Sequence, residues 1–159
     1  MKFNQRLVLA GFVGLCLAVG ALGGWATSSS VADWYPTLNK PAWNPPAWVF
    51  GPVWTVLYVM MGVAAWLVWK QGKGSVKGSG PALGWFFVQL ALNGLWSFLF
   101  FGARSPGLAF LEILLLWAAL AMTIYAFFQR SKPAGLIMLP YIGWVSFAAF
   151  LNFSIWRLN

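Results

Sequence analysis

The chain has very few of the side chains on which most enzymes depend. It has no histidine, a single cysteine (Cys16) and only two carboxylates, Asp33 and Glu112, among 159 residues. Histidine or cysteine metal sites, catalytic carboxylate pairs and histidine-based triads all need more of these groups. We therefore expect no metal site, no bound cofactor and no acid–base catalysis. A disulfide within one chain is also excluded.

Charge of either sign is scarce, whereas apolar residues are abundant. Only 8% of the residues are charged, 61% are hydrophobic, and the mean hydropathy is +0.76. This composition is far from that of a soluble domain and is typical of an integral membrane protein, so the bilayer itself is an expected partner. The net charge of +8 comes without a basic run, and we expect no nucleic-acid partner.

Five apolar segments are long enough to cross a hydrocarbon core of about 30 Å as helices. Irregular backbone cannot cross lipid, so the expected fold is all-α, a five-transmembrane-helix bundle in one membrane domain over residues 1–159. A loop at 27–46 would separate the first two helices, with Asn44 capping the second. The expected helices cover residues 7–26, 47–69, 81–101, 107–128 and 134–156.

The basic residues indicate an orientation, because cytoplasmic loops carry an excess of lysine and arginine. These residues fall into two groups, one at each end of the predicted bundle, and the larger group would mark the cytoplasmic side. The N-terminus would then be cytoplasmic, and the first loop and the C-terminus would lie outside. Apolar helices favour a bacterial inner membrane, and the first segment is expected to be a retained helix and not a cleaved signal peptide. The cytoplasmic group is Lys2, Arg6, Lys70, Lys73, Lys77, Arg130 and Lys132, and the outer group is Lys40, Arg104 and Arg157.

Tryptophan is concentrated in the first loop and the start of the second helix. The chain has twelve tryptophans, and several lie between Trp34 and Trp54 in a stretch that is also rich in proline. Indoles can anchor a protein at the membrane interface. They can also form a flat, polarizable wall for a flat aromatic ligand.

Indoles and amides recur at helical spacing on three of the predicted helices. Trp54 and Tyr58 are four residues apart in the second helix, and so are Trp144 and Ala148 in the fifth, so each pair shares a face. Asn93 lies in the third helix, where an amide at membrane depth is costly unless it points inward. Two interpretations stay open, a ligand pocket or ordinary packing with hydrogen bonds between helices.

The only acid within a predicted span is Glu112. It follows the start of the fourth helix by about one and a half turns, which places it near the outer interface. We expect it to pair with Arg104 or to reach headgroup water.

The chain resembles the TspO/MBR family, also called the tryptophan-rich sensory protein, translocator protein or peripheral-type benzodiazepine receptor family. Three separated blocks match the family pattern, so the resemblance covers nearly all of the chain after the first helix. The first block is Trp34-Tyr35-x-x-Leu38-Asn39-Lys40-Pro41-x-Trp43-Asn44-Pro45-Pro46 with its continuation Trp54-Thr55-x-Leu57-Tyr58. The second is Gln89-Leu90-x-Leu92-Asn93-x-Leu95-Trp96, and the third is Pro140-Tyr141-x-x-Trp144 with Leu151-Asn152 and Arg157-Leu158-Asn159.

The resemblance implies a five-helix bundle, usually dimeric, that binds porphyrins such as protoporphyrin IX beneath a lid formed by the first loop. Some bacterial members are linked to light-dependent breakdown of porphyrin by an indole pair that corresponds here to Trp54 and Trp144. The sterol motif of the animal members wants a tyrosine where this chain has Phe153. By position, the family's pocket residues are Trp43, Trp54, Tyr58, Asn93, Trp144 and Ala148.

Three functions follow as hypotheses. The first is a receptor or transporter-like protein for porphyrins and related amphipathic aromatics, in tetrapyrrole regulation or stress signalling. The second is a light-dependent porphyrin-degrading enzyme that uses Trp54 and Trp144. The third is an assembly or regulatory subunit whose tryptophan-rich loop docks a membrane protein. For the first, the residues themselves offer Lys40, Arg104 and Arg157 as partners for porphyrin carboxylates.

Overall fold

The computed structural model describes residues 4–75 and 77–159, and those residues contain five helices long and apolar enough to cross a membrane. The predicted all-α, five-helix fold is therefore confirmed. Lys2, assigned above to the cytoplasmic group, lies outside the described residues. The helices are α1 (Gln5–Asp33), α2 (Ala47–Gln71), α3 (Pro81–Ser97), α4 (Pro106–Arg130) and α5 (Lys132–Leu158).

The first helix is longer than the sequence predicted. Its predicted end was Ala26, but α1 continues to Asp33. The polar residues beyond Ala26 stay helical because a hydroxyl can bond back to its own helix, and Thr27 Oγ1 donates to the Gly23 carbonyl at 2.6 Å. The loop between the first two helices is consequently shortened to residues 34–46, and we call this segment the lid.

The predicted capping of α2 by Asn44 is wrong. The helix begins at Ala47, and Pro46 occupies the capping position without a side-chain hydrogen bond. The Asn44 side chain instead accepts a hydrogen bond from the Tyr35 hydroxyl at 3.2 Å and donates to the Pro45 carbonyl at 3.2 Å. Asn44 therefore stabilises the lid and not the helix that follows it.

The helices do not surround the bundle in chain order. The main contacts join α1 to α2, α2 to α5, α5 to α4, α4 to α3, and α3 back to α1. A single residue, Ser131, separates α4 from α5, so these two pack as antiparallel neighbours. Because α2 lies beside α5 and also touches α3, side chains from these three helices meet inside the bundle.

The core is formed mainly by α2, α3, α4 and α5, and α1 contributes Phe12 and Cys16 to it. Met61, Phe86, Leu120, Phe127 and Met138 are all fully buried in it. Large apolar side chains also cover the outer surface, as expected where lipid replaces water. Examples of these outward side chains are Leu7, Trp25, Leu115 and Phe150.

The corner between α3 and α4 contains a short π-helix, Phe98–Gly102, which ends with the Ala103 N–H donating to the Phe98 carbonyl at 2.7 Å. Arg104 follows with a φ of 50°, a left-handed conformation that is uncommon outside glycine. Ser105 then caps α4 by accepting from the Leu108 N–H.

The expectation that Glu112 pairs with Arg104 is wrong. Glu112 is only 5% exposed, and neither carboxyl oxygen has a hydrogen-bond partner within the described part of the chain. Arg104 Nε lies 3.4 Å from Ser30 Oγ, at the end of α1. Arg104 therefore contacts the end of α1, and Glu112 is left without an ion-pair partner in the described residues.

Candidate functional site

A chain of hydrogen bonds joins α2, α3 and α5 inside the bundle. The Tyr58 hydroxyl donates to Asn93 Oδ1 at 2.6 Å, and Asn93 Nδ2 donates to the Tyr141 hydroxyl at 2.6 Å. The Tyr141 hydroxyl in turn donates to Gln89 Oε1 at 2.9 Å. All four residues are buried, so the network satisfies polar groups that would be costly to leave unpaired in an apolar interior.

The hydrogen bonds of Asn93 thus connect α3 to α2 and α5, which is the role that the packing interpretation predicted. An asparagine amide has two donor hydrogens and an acceptor oxygen with two lone pairs, and the two tyrosines use one of each. One N–H and one lone pair remain for another group.

Trp54 is packed beside this network. Its ring centroid lies 5.6 Å from that of Tyr58 and 6.2 Å from that of Tyr141. The spacing of four residues puts Trp54 and Tyr58 on one face of α2, as predicted, and the neighbouring α5 supplies Tyr141. An aromatic surface thus continues from the polar network toward the lid end of α2.

Trp144 lies among a second set of aromatic side chains. Its ring centroid is 6.0 Å from Phe50 and 5.3 Å from Phe147. The Trp144 Nε1 atom is buried and has no hydrogen-bond partner among the residues that the structure covers. Buried indole N–H groups usually find an acceptor, so this one is a position where a ligand acceptor would gain a hydrogen bond.

The other two predicted pocket residues border the same region. Trp43, in the lid, is half exposed, and its ring centroid lies 5.8 Å from Phe147. Ala148 is partly buried and packs on the same apolar cluster as Trp54 and Trp144. The structure thus brings five of the predicted residues to one cluster or network, and links Trp43 to it through Phe147.

The lid is fastened to the end of α5 by paired amides. The Asn39 backbone N–H donates to Asn159 Oδ1 at 3.0 Å, and Asn159 Nδ2 donates back to the Asn39 carbonyl at 2.9 Å. Burial raises the pKa of Tyr35, while its hydrogen bond to Asn44 opposes the rise. Tyr35 therefore stays neutral at physiological pH and keeps donating to Asn44.

The three predicted carboxylate partners differ in how they are held. Lys40 Nζ donates to the carbonyls of Tyr35 and Leu38, each at 3.0 Å, so it belongs to the internal structure of the lid. Arg157 is exposed near the end of α5. Arg104 borders an outer cleft.

This outer cleft has a volume of about 560 Å³ and lies between the lid, the α3–α4 corner and the end of α5. Trp34 and Trp156 contribute indoles to it, and Arg104 contributes the cation. None of the six predicted pocket residues borders it. Its lining residues are Trp34, Leu38, Arg104, Ser105, Pro106, Gly107, Trp156 and Asn159.

Sequence reasoning did not assign Tyr141 to the site, although Tyr141 joins Asn93, Gln89 and Trp54. A signal was present, because Tyr141 precedes Trp144 by three residues and so shares its face of α5. Phe50 and Phe147 were missed because apolar aromatics are everywhere in a membrane helix and carry no individual signal.

The sequence profile of the TspO/MBR family matches residues 12–157. The chain is 48% identical over 160 residues to "Tryptophan-rich protein TspO" of Chlorobaculum tepidum, covering 98% of each chain. It is 41% identical over 144 residues to "Tryptophan-rich sensory protein" of Cereibacter sphaeroides, covering 89% of this chain and 88% of the relative. It is 44% identical over 126 residues to "Translocator protein" of Homo sapiens, covering 79% and 75%. The chain therefore belongs to the TspO/MBR family and is an integral membrane protein.

Proposed function

We propose that this protein is a receptor or transporter-like protein that binds porphyrins, with protoporphyrin IX as the model ligand, and related amphipathic aromatic molecules. The ligand would lie beneath the lid, between α2 and α5. The observation that carries the proposal is the buried Trp144 N–H without an acceptor, in a cluster that also includes Trp54 and Ala148. Trp66 Nε1 is also buried without a partner among the described residues, but its ring lies under Lys70 at the far end of α2, whereas Trp144 is linked to the lid through Phe147 and Trp43.

The chemistry of a porphyrin fits these side chains. Its flat ring system can stack on the indoles of Trp54 and Trp144, and an acceptor on the ligand would satisfy the Trp144 N–H. Arg104 and Arg157 are exposed on the lid side, where charge-assisted hydrogen bonds to carboxylates would be available. Lys40 would contribute only if the lid rearranged, because Tyr35 and Leu38 already accept from its ammonium group.

The names of the relatives support a role in recognition or transfer and not in classical catalysis. "Translocator" and "sensory" describe those proteins, at 44% and 41% identity to this chain. We carry them over as a proposal for this protein, together with a homodimeric state, a bacterial inner-membrane location and a cytoplasmic N-terminus.

Light-dependent porphyrin breakdown is the second candidate function. The observation that favours it is the contact of Trp54 with Tyr58 and Tyr141, at 5.6 and 6.2 Å between ring centroids, because two further oxidisable rings then lie next to the indole. The oxidant would be dioxygen activated by the light-excited porphyrin, and the indole that it oxidises would lie next to tyrosines that can share the oxidation. This chemistry needs no histidine, metal or carboxylate pair.

The test is a titration of purified protein with protoporphyrin IX in the dark, followed by quenching of tryptophan fluorescence. Trp54→Phe and Trp144→Phe are compared with wild type, and Trp25→Phe on α1, 77% exposed, is the matched control. Losing an indole contact of about 1–1.5 kcal/mol should weaken binding about tenfold in the first two variants. The control should bind like the wild type.

Illumination of the same samples separates the two candidate functions. A new absorbing product that depends on Trp54 and Trp144 would favour the photo-oxidative enzyme over simple binding. Equal bleaching in all four proteins would reject it. Non-saturable quenching in the wild type would contradict the porphyrin proposal as a whole.

A further inference from the structure

A groove lies on the outside of the bundle, at the end opposite the lid, where α3 begins and α4 ends. Its volume is about 250 Å³, and it shares no residue with the predicted porphyrin site or with the outer cleft. Ala82 and Ala126 are its small residues, and Trp85, Met122 and Tyr125 supply its large ones. Tyr125 is 63% exposed and Met122 43% exposed, so this surface faces the membrane.

The groove has a cation at one end. Arg130, in the last turn of α4, borders it together with Gln129. Arg130 Nη1 donates to the Gly78 carbonyl at 3.3 Å, which fixes the side chain against the α2–α3 loop. The next loop glycine, Gly80, has a φ of 63°, and a Cβ there would collide with Arg130 Nη2. The loop is therefore shaped to let the guanidinium lie close to it.

The charge at this end of the molecule has one sign. Lys73 and Lys77 lie in the α2–α3 loop, and Lys132 starts α5 two residues after Arg130. A guanidinium has five N–H donors, and the Gly78 carbonyl takes one of them. The others are available to an anion, and an arginine can bind a carboxylate or a phosphate with two parallel hydrogen bonds. Phosphate is the anionic group that phospholipid headgroups share.

We propose that this groove binds an anionic phospholipid, with the headgroup phosphate on Arg130 and part of an acyl chain along Ala82, Trp85 and Met122. Basic pockets between transmembrane helices at the positively charged side are the usual sites for such headgroups. Trp85 and Tyr125 also line the groove, and tryptophan and tyrosine are the aromatic residues that prefer the membrane–water interface. The volume is below the roughly 300–1,000 Å³ of small-molecule pockets, which favours a chain segment over a bulky ring system.

The experiment is native mass spectrometry of the protein in neutral detergent, titrated with phosphatidylglycerol or with phosphatidylcholine of the same acyl chains. The wild type should retain phosphatidylglycerol several-fold better. Arg130→Gln should lower phosphatidylglycerol binding about tenfold, the equivalent of one lost charge-assisted contact of about 1.4 kcal/mol, and should leave phosphatidylcholine unchanged. Arg6→Gln, in the first turn of α1 at the same basic end of the bundle but outside the groove, is the matched control and should bind like the wild type.

A second variant tests the apolar part of the site. Ala126→Phe fills the groove and should reduce phosphatidylglycerol binding while Arg130 is intact, with an unfolding temperature near that of the wild type. Equal retention of the two lipids by the wild type would overturn the proposal, as would identical results for Arg130→Gln and Arg6→Gln. A dimer mass that disappears in Ala126→Phe, without any lipid preference, would show that a second copy of the chain covers the groove instead.

Discussion

At the scale of single residues, Asn93 is the side chain on which the polar interior depends. It accepts from Tyr58 on α2 and donates to Tyr141 on α5, so it connects three helices through two hydrogen bonds of 2.6 Å. Replacing it would leave two buried hydroxyl groups with fewer partners. Its structural and ligand-binding roles are therefore coupled, and mutating it alone cannot assign either one.

We expect Asn93→Ala to lower the free energy of unfolding by about 1–3 kcal/mol, because it strands partners that stay buried. The measurement is denaturant-induced unfolding in detergent micelles. Tyr58→Phe is the comparison, since it removes one hydroxyl and keeps the ring, and it should cost less. An unfolding midpoint for Asn93→Ala equal to the wild type would contradict the network.

Glu112 gives the opposite prediction. Both of its carboxyl oxygens are buried without a hydrogen-bond partner in the described ranges, so a charge there would be costly. Glu112→Gln keeps the shape of the side chain and cannot carry the negative charge. This variant should unfold at the same temperature as the wild type or at a higher one. A large loss of thermal stability would mean that the carboxylate has a partner, such as water or an ion.

At the scale of the elements, close approach of α1 and α2 depends on glycine. A Cβ on Gly62 would lie 2.6 Å from Val13 Cα and 2.7 Å from Val13 N, so the backbone of α1 occupies the space that a side chain would need. Backbone cannot move aside as a flexible side chain can. Gly20 makes the reciprocal contact, because its surface is covered by the ring of Tyr58.

Gly62→Ala is therefore expected to destabilise the bundle by about 1–3 kcal/mol through overpacking, although alanine is the better helix former. Gly51→Ala in the same helix is the matched control, since a Cβ there would meet nothing within 4 Å. Thermal unfolding of the two variants decides the point. If both behave like the wild type, α1 is not packed on α2 in this way.

The lid is the second element whose behaviour can be predicted. Asn39 and Asn159 exchange hydrogen bonds through backbone and side chain, which joins the lid to the last turn of α5. Asn159→Ala should speed amide hydrogen exchange of residues 34–46 several-fold, because local opening loses two bonds. Ser154→Ala, whose hydroxyl bonds only within α5, is the control. Unchanged lid exchange in Asn159→Ala would show that aromatic contacts alone hold the lid.

At the scale of the whole molecule, the basic residues predict the orientation in the membrane. Arg6, Lys70, Lys73, Arg130 and Lys132 cluster at one end of the bundle, and the lid lies at the other. Positive-inside orientation then puts the lid outside. Because Cys16 is the only cysteine and is fully buried, thiol labelling can test this with little background.

In a Cys16→Ala background, Ala42→Cys in the lid should react with a membrane-impermeant maleimide added to intact cells. Ser75→Cys, in the α2–α3 loop, should react only after the cells are opened. Both positions are exposed in the structure, so the side of the membrane on which each one lies decides whether it is labelled. Labelling of Ser75→Cys in intact cells would reverse the orientation.

The sequence was sufficient for the number and order of the helices, because apolar length is a strong signal in a membrane protein. It failed at the end of α1, where serine and threonine look like a loop but bond within the helix. It also failed for Glu112. The sequence predicted its depth along α4 but not that its side chain is buried inside the bundle. Tyr141 was missed because its role depends on α5 meeting α2 and α3 inside the bundle, which periodicity within one helix does not specify.

The measurement that tests the central claim most directly is equilibrium binding of protoporphyrin IX, in the dark, to Ala148→Leu. Ala148 is the small residue beside Trp144 on the face of α5 assigned to the ligand, so a leucine there should fill the space. The adjacent Ala149→Leu, also partly buried, is the control. With both variants folded, protoporphyrin IX should bind at least tenfold more weakly to Ala148→Leu only. Wild-type affinity in Ala148→Leu would contradict a ligand site between α2 and α5 and place the ligand elsewhere.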